Sequence, residues 1–338
     1  KNILGFSGVY VDSNGVLNVY TTDPSIKSIN KSELAGYLDP DTLANGIIVQ
    51  HSKHSWHKWM ELGNIVSTLF NQNLGINTMY VDDKNQVYVI GMEPLDNTKV
   101  DAIHKFLTDK NVPFDMVKIV ESQIQPECCS GITVNPIEGG AEISTDNIDA
   151  DTCTTGFIVK DSSGNYRGLT VAHCTPHNDG SDKYYQPEFG RLIGNQIAGT
   201  LHYGSSDSTL FSTSETGGFG KIFRYSGLSA LSITQKSSYE AVGDSVCTAG
   251  TGSGTNRCGS ITATGVQITD GGHILNGQIE ANYASSGGDS GSPVWHAYQF
   301  NGISAYGVHW GRDNISGNAV YSPVWGIDSD QGTTLTYN

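Results

Sequence analysis

Alternating apolar and polar residues mark two segments in the first third of the chain. Segments 9–20 (VYVDSNGVLNVY) and 79–89 (MYVDDKNQVYV) each hold an alternating run, a polar turn and a second run. This pattern predicts a β-hairpin in each segment. Apolar residues between and after the hairpins recur at helical spacing, which predicts two amphipathic helices and makes residues 1–127 a small α+β domain. The predicted apolar faces are Trp56, Trp59, Met60, Val66 and Phe70 in the first helix, and Val100, Ile103 and Leu107 in the second.

The pattern changes after about residue 130. Short β-rich runs alternate with turns of Gly, Ser, Asn and Asp, and helical spacing is absent until the final dozen residues. This pattern predicts an all-β sandwich or barrel over residues 137–338, with residues 128–136 as a linker. The predicted strands are Gly156–Lys160, Gly168–Ala172, Thr209–Phe211, Ser245–Ala249, Ile274–Ala281, Gly302–His309 and Asn318–Tyr321.

Composition and charge exclude several classes of function. The chain has 338 residues, a formal net charge of −15 and 16% charged residues. An acidic chain lacks the clustered Lys and Arg that nucleic acid needs, so no nucleic-acid partner is expected. No apolar run approaches the ~20 residues of a membrane helix, so no membrane partner is expected. No signal peptide is visible at Lys1, which indicates a processed or trimmed form.

Segment 287–294, Gly-Gly-Asp-Ser-Gly-Ser-Pro-Val, carries the strongest chemical signal. A serine hydroxyl becomes a good nucleophile only with a base beside it, and Ser290 is the candidate. The flanking glycines allow a sharp turn, after which the N–H groups of Gly288 and Ser290 could stabilise an oxyanion. Taken alone, the same string is also a common turn.

Segment 169–174, Leu-Thr-Val-Ala-His-Cys, predicts a strand that ends in a histidine and a cysteine. A single histidine at a strand end is most often structural. With a serine motif later in the chain, His173 becomes the candidate general base.

These two motifs and their order resemble the chymotrypsin-like serine proteases, above all the bacterial branch of streptogrisins and alpha-lytic protease. Segment 136–143 also looks like the start of that branch's mature enzyme. The resemblance covers about residues 130–338. It implies two six-stranded antiparallel β-barrels and a secreted, monomeric serine endopeptidase that acts on proteins or peptides without a cofactor or a metal.

The resemblance implies an aspartate at the start of a short apolar strand between the histidine and the serine. Asp207, which opens the run Asp-Ser-Thr-Leu-Phe, matches this pattern, although Thr209 stands where alanine is more usual. Its role would be to hold the imidazole tautomer. Asp179 and Asp182 are rivals, but they lie in a polar loop close to His173. The order His, Asp, Ser is that of the chymotrypsin type.

The resemblance also implies two disulfides, Cys153–Cys174 and Cys247–Cys258. The third disulfide of the branch is missing, since Ala284 occupies the place of its first cysteine. Cys128 and Cys129 are adjacent, and a strained bridge, free thiols and intermolecular pairing all remain open. The family likeness implies a buried carboxylate at Asp289 and leaves open whether its partner is the mature N-terminus or an internal group.

The specificity pocket is predicted from two segments. Residues 282–288 contain no carboxylate, which argues against cleavage after Lys or Arg. Segment 306–311, Tyr-Gly-Val-His-Trp-Gly, is similar to the substrate-binding strand of glutamyl endopeptidases. The similarity implies that His309 and the Ser285 hydroxyl bind a P1 carboxylate, and that Val308, Trp310 and Gly311 complete the wall. The alternative is a packed His309 in an apolar pocket with a chymotrypsin-like preference.

Residues 1–127 resemble the pro-regions of this branch, which assist folding and block the site. Residues 128–136 would then be the processing linker, and the tail near Glu121–Glu127 would lie in the cleft as a product mimic. A permanent accessory domain is the competing interpretation. His51, His54 and His57 are interpreted as a solvated helix face rather than a metal site. A catalytically dead binding protein on the same fold and an esterase-like acyl hydrolase stay as alternatives to the protease.

Overall fold

The computed structural model describes residues 3–34, 44–72, 74–122, 124–126, 134, 137–145, 152–186, 190–213, 218–223, 230–297 and 302–337. Apart from Val134, the predicted linker 128–136 lies outside these residues, and so does the question of Cys128 and Cys129.

The first part of the chain forms two small sheets. Both predicted hairpins are confirmed, since β1 pairs with β2 and β4 pairs with β5, each in antiparallel order. A parallel strand extends each hairpin, β3 beside β2 and β6 beside β5. The strands are β1 (Phe6–Val11), β2 (Leu17–Thr21), β3 (Ile47–His51), β4 (Ile76–Asp82), β5 (Val87–Met92), β6 (Val117–Glu121) and β7 (Ile124–Pro126).

Helix α1 (Lys31–Leu34) is a single turn. Two longer helices, α2 (Trp56–Val66) and α3 (Asn97–Asp109), precede and follow the second hairpin along the chain. The Ser55 side chain accepts the Lys58 N–H at the start of α2, and Asp96 accepts the Thr98 and Lys99 N–H groups at the start of α3. No helix among the described residues has both the length and the apolar character to cross a membrane.

The predicted apolar face of α2 is partly wrong. Trp59 and Val66 are buried, but Trp56 is 38% exposed and Met60 is 49% exposed. Leu62 takes their place, because the stripe that meets the core follows the spacing 59, 62, 66. The helix ends at Val66 and continues as a 3-10 turn (Ser67–Gln72), in which Leu69 is buried. The predicted face of α3 agrees better, since Ile103 and Leu107 are buried and Val100 packs against the same core.

The three histidines near α2 do not share a helix face, so that part of the prediction is wrong. His51 ends β3, and His54 precedes the helix and packs edge-on against Trp59. Only His57 is helical, with its Nε2 3.2 Å from Glu61 Oε1. The helix begins at Trp56, after the Ser55 cap, and this start leaves the first two histidines outside it.

A first six-stranded barrel follows. Strands β9 and β10 follow each other closely in the chain and together fill one position in the barrel. Gln196, directly after β13, closes the barrel through a bridge with Phe211 of β15. The closed order is β8, β9/β10, β11, β15, β13, β12 and back to β8. These strands, with the short β14, are β8 (Glu142–Thr145), β9 (Thr152–Thr154), β10 (Ile158–Lys160), β11 (Tyr166–Thr170), β12 (Lys183–Gln186), β13 (Arg191–Asn195), β14 (His202–Tyr203) and β15 (Asp207–Ser212).

A second six-stranded barrel closes in the order β18, β19, β20, β23, β22, β21 and back to β18, with every pair antiparallel. The predicted double-barrel, chymotrypsin-like fold is therefore confirmed. The remaining elements are β16 (Lys221–Ile222), β17 (Leu231–Lys236), β18 (Ser245–Gly250), β19 (Thr255–Asp270), β20 (His273–Ala281), β21 (Pro293–Ala297), β22 (Ile303–Asp313), β23 (Ala319–Pro323), α4 (Val324–Gln331) and β24 (Thr334–Leu335).

Among the described residues, backbone pairing joins the first part of the chain to the rest at three places. Strand β4 pairs with the far half of β19, where Met79 lies opposite Gln267. Tyr10 of β1 forms a bridge with Val242. Strand β7 pairs with the end of β22. Two of these contacts extend sheets of the barrel, so backbone hydrogen bonds connect the two parts.

Glu240 is a buried carboxyl beside the Tyr10–Val242 contact. It is 5% exposed, and its Oε1 has no hydrogen-bond partner among the described residues. Burial and the neighbouring Asp244 raise the pKa of Glu240 to about 8 from an ordinary value of 4.5. The folded protein therefore keeps this proton in a pH range where the unfolded chain has lost it, and the free energy of unfolding falls as the pH rises from 4.5 to 8.

We expect Glu240→Gln, made in a Ser290→Ala background to prevent self-cleavage, to flatten this dependence. The amide stays neutral at every pH, so the Tm of the variant relative to its parent should be a few degrees higher at pH 8 than at pH 5. For a domain of this size, 1 kcal/mol of stability corresponds to about 2–4 °C in Tm. Thermal unfolding followed by circular dichroism at both pH values measures the gain. Glu121→Gln, at an exposed glutamate, is the matched control. An equal effect of Glu240→Gln at both pH values would contradict the prediction.

Candidate active site

His173 lies on a single 3-10 turn (Ala172–Cys174) directly after β11. A disulfide between Cys153 and Cys174, with Cα atoms 6.4 Å apart, ties this turn to β9. Asp207 is the first residue of β15, which pairs with β11. Two adjacent strands of the first barrel therefore bring the histidine and the aspartate to the same end of the sheet.

The carboxylate of Asp207 holds the imidazole. Asp207 Oδ2 lies 2.6 Å from His173 Nδ1, and Oδ1 accepts the backbone N–H groups of Ala172 at 2.6 Å and His173 at 3.3 Å. Asp207 is 2% exposed, so the carboxylate depends on these donors. Because a carboxylate accepts, the proton lies on Nδ1 and leaves Nε2 as an acceptor.

Ser290 comes from the second barrel, in the turn before β21. Its Oγ lies 2.9 Å from His173 Nε2, and the residue is fully buried. The hydroxyl can donate to the acceptor nitrogen that Asp207 leaves available. The structure thus brings His173, Asp207 and Ser290 together in one hydrogen-bonded line.

Asp179 and Asp182, the two alternatives to Asp207, make hydrogen bonds within their own loop. Asp182 Oδ1 lies 2.8 Å from His177 Nδ1, and this contact raises the pKa of His177. Asp179 accepts the Ser181 N–H at 2.9 Å. Of the three candidates, Asp207 is the one hydrogen-bonded to His173.

Asp289 holds the loop that presents Ser290. The side chain is fully buried, and it accepts N–H groups of Ser253 and Ser286 at 2.9 Å each as well as the Ser253 hydroxyl. Its partners in the structure are therefore internal. A Cβ added at Gly250 would lie 2.1 Å from Asp289 Oδ1, so this close approach requires glycine.

The turn that carries the predicted oxyanion donors has glycine-specific geometry. Gly288 has a φ of 98° and Gly291 has a φ of 93°. Thr154 of β9 donates its hydroxyl to Gly288 O at 2.6 Å and its N–H to Ser290 O at 2.7 Å. The first barrel thus fixes the turn whose N–H groups, at Gly288 and Ser290, are the predicted oxyanion donors.

The predicted pocket residues lie on two facing segments, 283–288 and 308–312. His309 is fully buried, and its Nδ1 lies 3.1 Å from the Tyr283 hydroxyl. Ser285 Oγ is buried and has no partner among the described residues. Val308 and Trp310 are fully buried, and Gly311 pairs with Pro126 of β7.

A buried network, missed at the sequence level, joins the pocket wall to Asp207. Gln278 Oε1 accepts from the Trp310 indole at 3.0 Å and from the Ser322 hydroxyl at 2.8 Å. Ser322 Oγ in turn accepts the Asp207 N–H at 3.0 Å. Tyr283 and Arg312 were also missed. The indole of a buried tryptophan needs an acceptor, but no sequence pattern identifies Gln278 as that acceptor.

A serine, a histidine and an aspartate in one hydrogen-bonded line at the junction of two closed β-barrels are the arrangement typical of chymotrypsin-type serine hydrolases. Over 157 residues the chain is 30% identical to "Serine protease 2" of Streptomyces fradiae, a match that spans 46% of this chain and 84% of that protein. The chain belongs to the bacterial chymotrypsin-like serine proteases, the family of this relative, and is a serine endopeptidase. No protein-family model matches it.

Solved structures with a similar fold include a glutamic-acid-specific serine protease described as using a histidine triad in substrate binding. It is 22% identical, with a TM-score of 0.47, and the match covers 59% of this chain and 100% of that one. Thermobifida fusca protease A is 23% identical, with a TM-score of 0.48, over 60% of this chain and 99% of that one. The alpha-lytic protease homolog N4 is 21% identical, with a TM-score of 0.47, over 59% and 98%.

Loss of the acid and loss of the nucleophile should have different kinetic effects. Asp207→Asn should lower kcat by about 10⁴-fold, because an amide favours the wrong imidazole tautomer, as in other triads. Ser290→Ala should abolish acyl-enzyme formation altogether. Turnover and burst amplitude on a chromogenic peptide measure both effects. Asp179→Asn is the control and should keep its activity, whereas an equal loss in this variant would contradict the choice of Asp207.

Proposed function

We propose that this protein is a secreted endopeptidase in its pro-form, that it prefers glutamate at P1, and that residues 1–127 are its pro-segment. Secretion is supported by the disulfides Cys153–Cys174 and Cys247–Cys258, since such bonds persist in oxidising compartments. The observation that carries the pro-form is the pairing of β7 with β22.

The geometry supports acyl transfer by the three aligned groups. Ser290 Oγ attacks the scissile carbonyl while His173 Nε2 takes its proton, and Asp207 stabilises the imidazolium. The N–H groups of Gly288 and Ser290 hold the developing oxyanion. His173 then protonates the leaving amine, and water hydrolyses the acyl-enzyme by the same route in reverse.

Strand β7 lies where a substrate backbone would lie. Its register places Ile124 opposite Asp313, Gln125 opposite Arg312 and Pro126 opposite Gly311. Ser290 Oγ is 3.4 Å from the carbonyl oxygen of Trp310, the next residue of β22 toward the nucleophile. The residue that follows Pro126 in the sequence is Glu127. We therefore propose that the Glu127–Cys128 bond is the processing site.

This arrangement also supports an inhibitory role for the first 127 residues. A strand paired with β22 occupies the backbone groups that a substrate strand would use. The sheet contact between β4 and β19 adds a second interface through which these residues could stabilise the barrel during folding. A permanent accessory domain would not require a strand in the cleft.

The preference for glutamate is supported by the polar groups in the pocket. Segment 283–288 has no carboxylate, and the Ser285 hydroxyl is buried without a partner among the described residues. A buried donor without a partner costs about 1–3 kcal/mol, which a substrate carboxylate would recover. His309 places a second polar group in the facing segment. The alternative preference for apolar P1 residues is favoured by the burial of His309 against Tyr283.

Self-processing tests the pro-form. The wild-type chain should yield a new N-terminus at Cys128, and Ser290→Ala should stay whole, because the cut requires its own nucleophile. Glu127→Gln should slow the cut, whereas Glu121→Gln, in the exposed part of β6, is the matched control. Intact mass and N-terminal sequencing over time give the readout. A stable full-length chain with full activity would contradict the pro-form and favour the accessory domain.

A peptide library tests the substrate preference. Digestion by the processed enzyme should give cuts after Glu, and these cuts should be absent with Ser290→Ala. A neutral P1 residue lacks the charge that strengthens hydrogen bonds to the pocket, so Gln should be cleaved about tenfold or more slowly than Glu. Cuts after Phe or Leu would overturn the glutamate preference and leave the endopeptidase activity intact.

A further inference from the structure

Gln278 lies on β20, outside the hydrogen-bonded line of His173, Asp207 and Ser290. We propose that Gln278 is a positioning residue for the reaction: its carboxamide holds the start of β15, which carries Asp207, against Trp310 of the predicted substrate-binding strand β22. The inference goes beyond the proposed function. It depends neither on the P1 preference nor on the pro-form, and it rests only on Asp207 as the orienting acid.

The Gln278 carboxamide is fully buried and uses all of its hydrogen-bonding capacity. Its Oε1 accepts from the Trp310 indole at 3.0 Å and from the Ser322 hydroxyl at 2.8 Å. Its Nε2 donates to the carbonyl oxygens of Ser205 at 3.1 Å and Asn276 at 2.9 Å. These partners come from both barrels, since Ser205 precedes β15, whereas Trp310 and Ser322 belong to β22 and β23.

The chemistry of the partners fixes the direction of each of these bonds. Two partners are backbone carbonyls, which only accept, and the Trp310 indole only donates. The reversed amide would therefore set N–H against N–H and oxygen against oxygen. The one proton of the Ser322 hydroxyl goes to Gln278, and the same oxygen accepts the Asp207 N–H at 3.0 Å.

Two connections run from the carboxamide to the acid. One passes through Ser322 Oγ to the Asp207 N–H, and the other ends at the carbonyl oxygen of Ser205, two residues earlier in the chain. Both connections therefore fix the backbone at the start of β15. The carboxylate that this backbone carries lies 2.6 Å from His173 Nδ1, so the place of the backbone sets the place of the imidazole.

A third connection runs to the predicted substrate-binding strand. The Trp310 indole is fully buried and held by Gln278, and the Trp310 carbonyl oxygen lies 3.4 Å from Ser290 Oγ. The next residues of β22, 311–313, pair with β7 at the proposed place of a substrate backbone. Loss of the carboxamide should therefore displace the acid and the substrate relative to each other, and a misplacement of about 1 Å can cost about 10²-fold in rate.

A purely structural role is the rival explanation. A buried amide with four hydrogen bonds also stabilises the fold, and its loss would lower the Tm whatever its effect on the reaction. The two roles differ in the kinetics of the molecules that remain folded. Rates are therefore measured per active site, counted by titration with a fluorophosphonate, on the full chain after it has reached its final form.

Single changes at the two ends of the network separate the acid from the substrate-binding strand. Ser322→Ala removes the acceptor of the Asp207 N–H, so kcat should fall about tenfold while KM stays near the wild-type value. Trp310→Phe removes the indole N–H and keeps an aromatic ring, so KM should rise several-fold with a smaller change in kcat. Gln278→Met has a similar length without the amide and should do both, with kcat/KM about 10-fold to 100-fold lower. Gln235→Met, at an exposed glutamine on β17, is the matched control and should keep both constants.

Gln278→Glu should give a partial rescue that depends on pH. The protonated carboxyl keeps an acceptor for Trp310 and Ser322 and can donate to one of the two carbonyls, whereas the carboxylate has no proton for either. Burial favours the protonated form. The kcat/KM of this variant relative to the wild type should therefore be highest at low pH and fall as the pH rises, and Gln278→Met should show no such trend.

The alternative outcomes overturn the inference. A lower Tm with wild-type kcat and KM per active site in all the network variants would identify a structural role only. If Gln278→Met fails to fold, the split between Ser322→Ala and Trp310→Phe and the pH trend of Gln278→Glu still decide, and the inference fails when both are missing. Full activity in Asp207→Asn would remove the acid on which the inference rests, whereas the expected loss there, with unchanged kinetics in the Gln278 variants, would defeat this inference alone.

Discussion

The hydrogen bond between His173 Nε2 and Ser290 Oγ is the contact on which the whole arrangement depends, because its partners belong to different barrels. Neither barrel alone contains a reactive serine. Two buried hydrogen-bond systems hold the barrels in place beside this contact. Thr154 of the first barrel binds the turn at 288–290, and Ser322 of the second barrel accepts the Asp207 N–H. Displacements near 1 Å can cost about 10²-fold in rate, so these contacts matter for chemistry as well as stability.

Buried carboxylates in this protein divide into two kinds. Asp207 and Asp289 are each surrounded by N–H and hydroxyl donors, which replace the water they lose. Glu240 lies beside Asp244, and burial raises its pKa to about 8. The hydrogen bonds of the first kind orient an imidazole or a loop. The second kind stays protonated over much of the neutral range, and the free energy of unfolding falls as the pH rises towards its pKa.

The parts of the fold and site that depend on local sequence patterns could be predicted from the sequence. His173 and Asp207 lie at strand ends beside recognisable motifs, and both disulfides connect segments that the family resemblance identifies. The face of α2 was misjudged, because Trp56 and Met60 have helical spacing but lie on the side away from the core. Gln278, Tyr283 and Arg312 could not be found in this way. Each acts through a contact with a residue more than 20 positions away, which only the closed barrel creates.

Strand β22 takes part in three features on which the proposals depend: the second barrel, the proposed pocket and the pairing with β7. Residues 307–312 complete the second barrel by pairing with β23. Residues 308–312 also form one wall of the proposed pocket. Residues 311–313 pair with β7. A tail held in the same chain has an effective concentration of roughly millimolar, so a free peptide competes poorly for those backbone groups. Cutting after residue 127 alone would leave β7 paired, since β4 still anchors its segment to β19. In the proposed pro-form, activity should therefore appear when that sheet contact dissociates, and we expect a more stable β4–β19 pairing to lengthen the delay between cleavage and turnover.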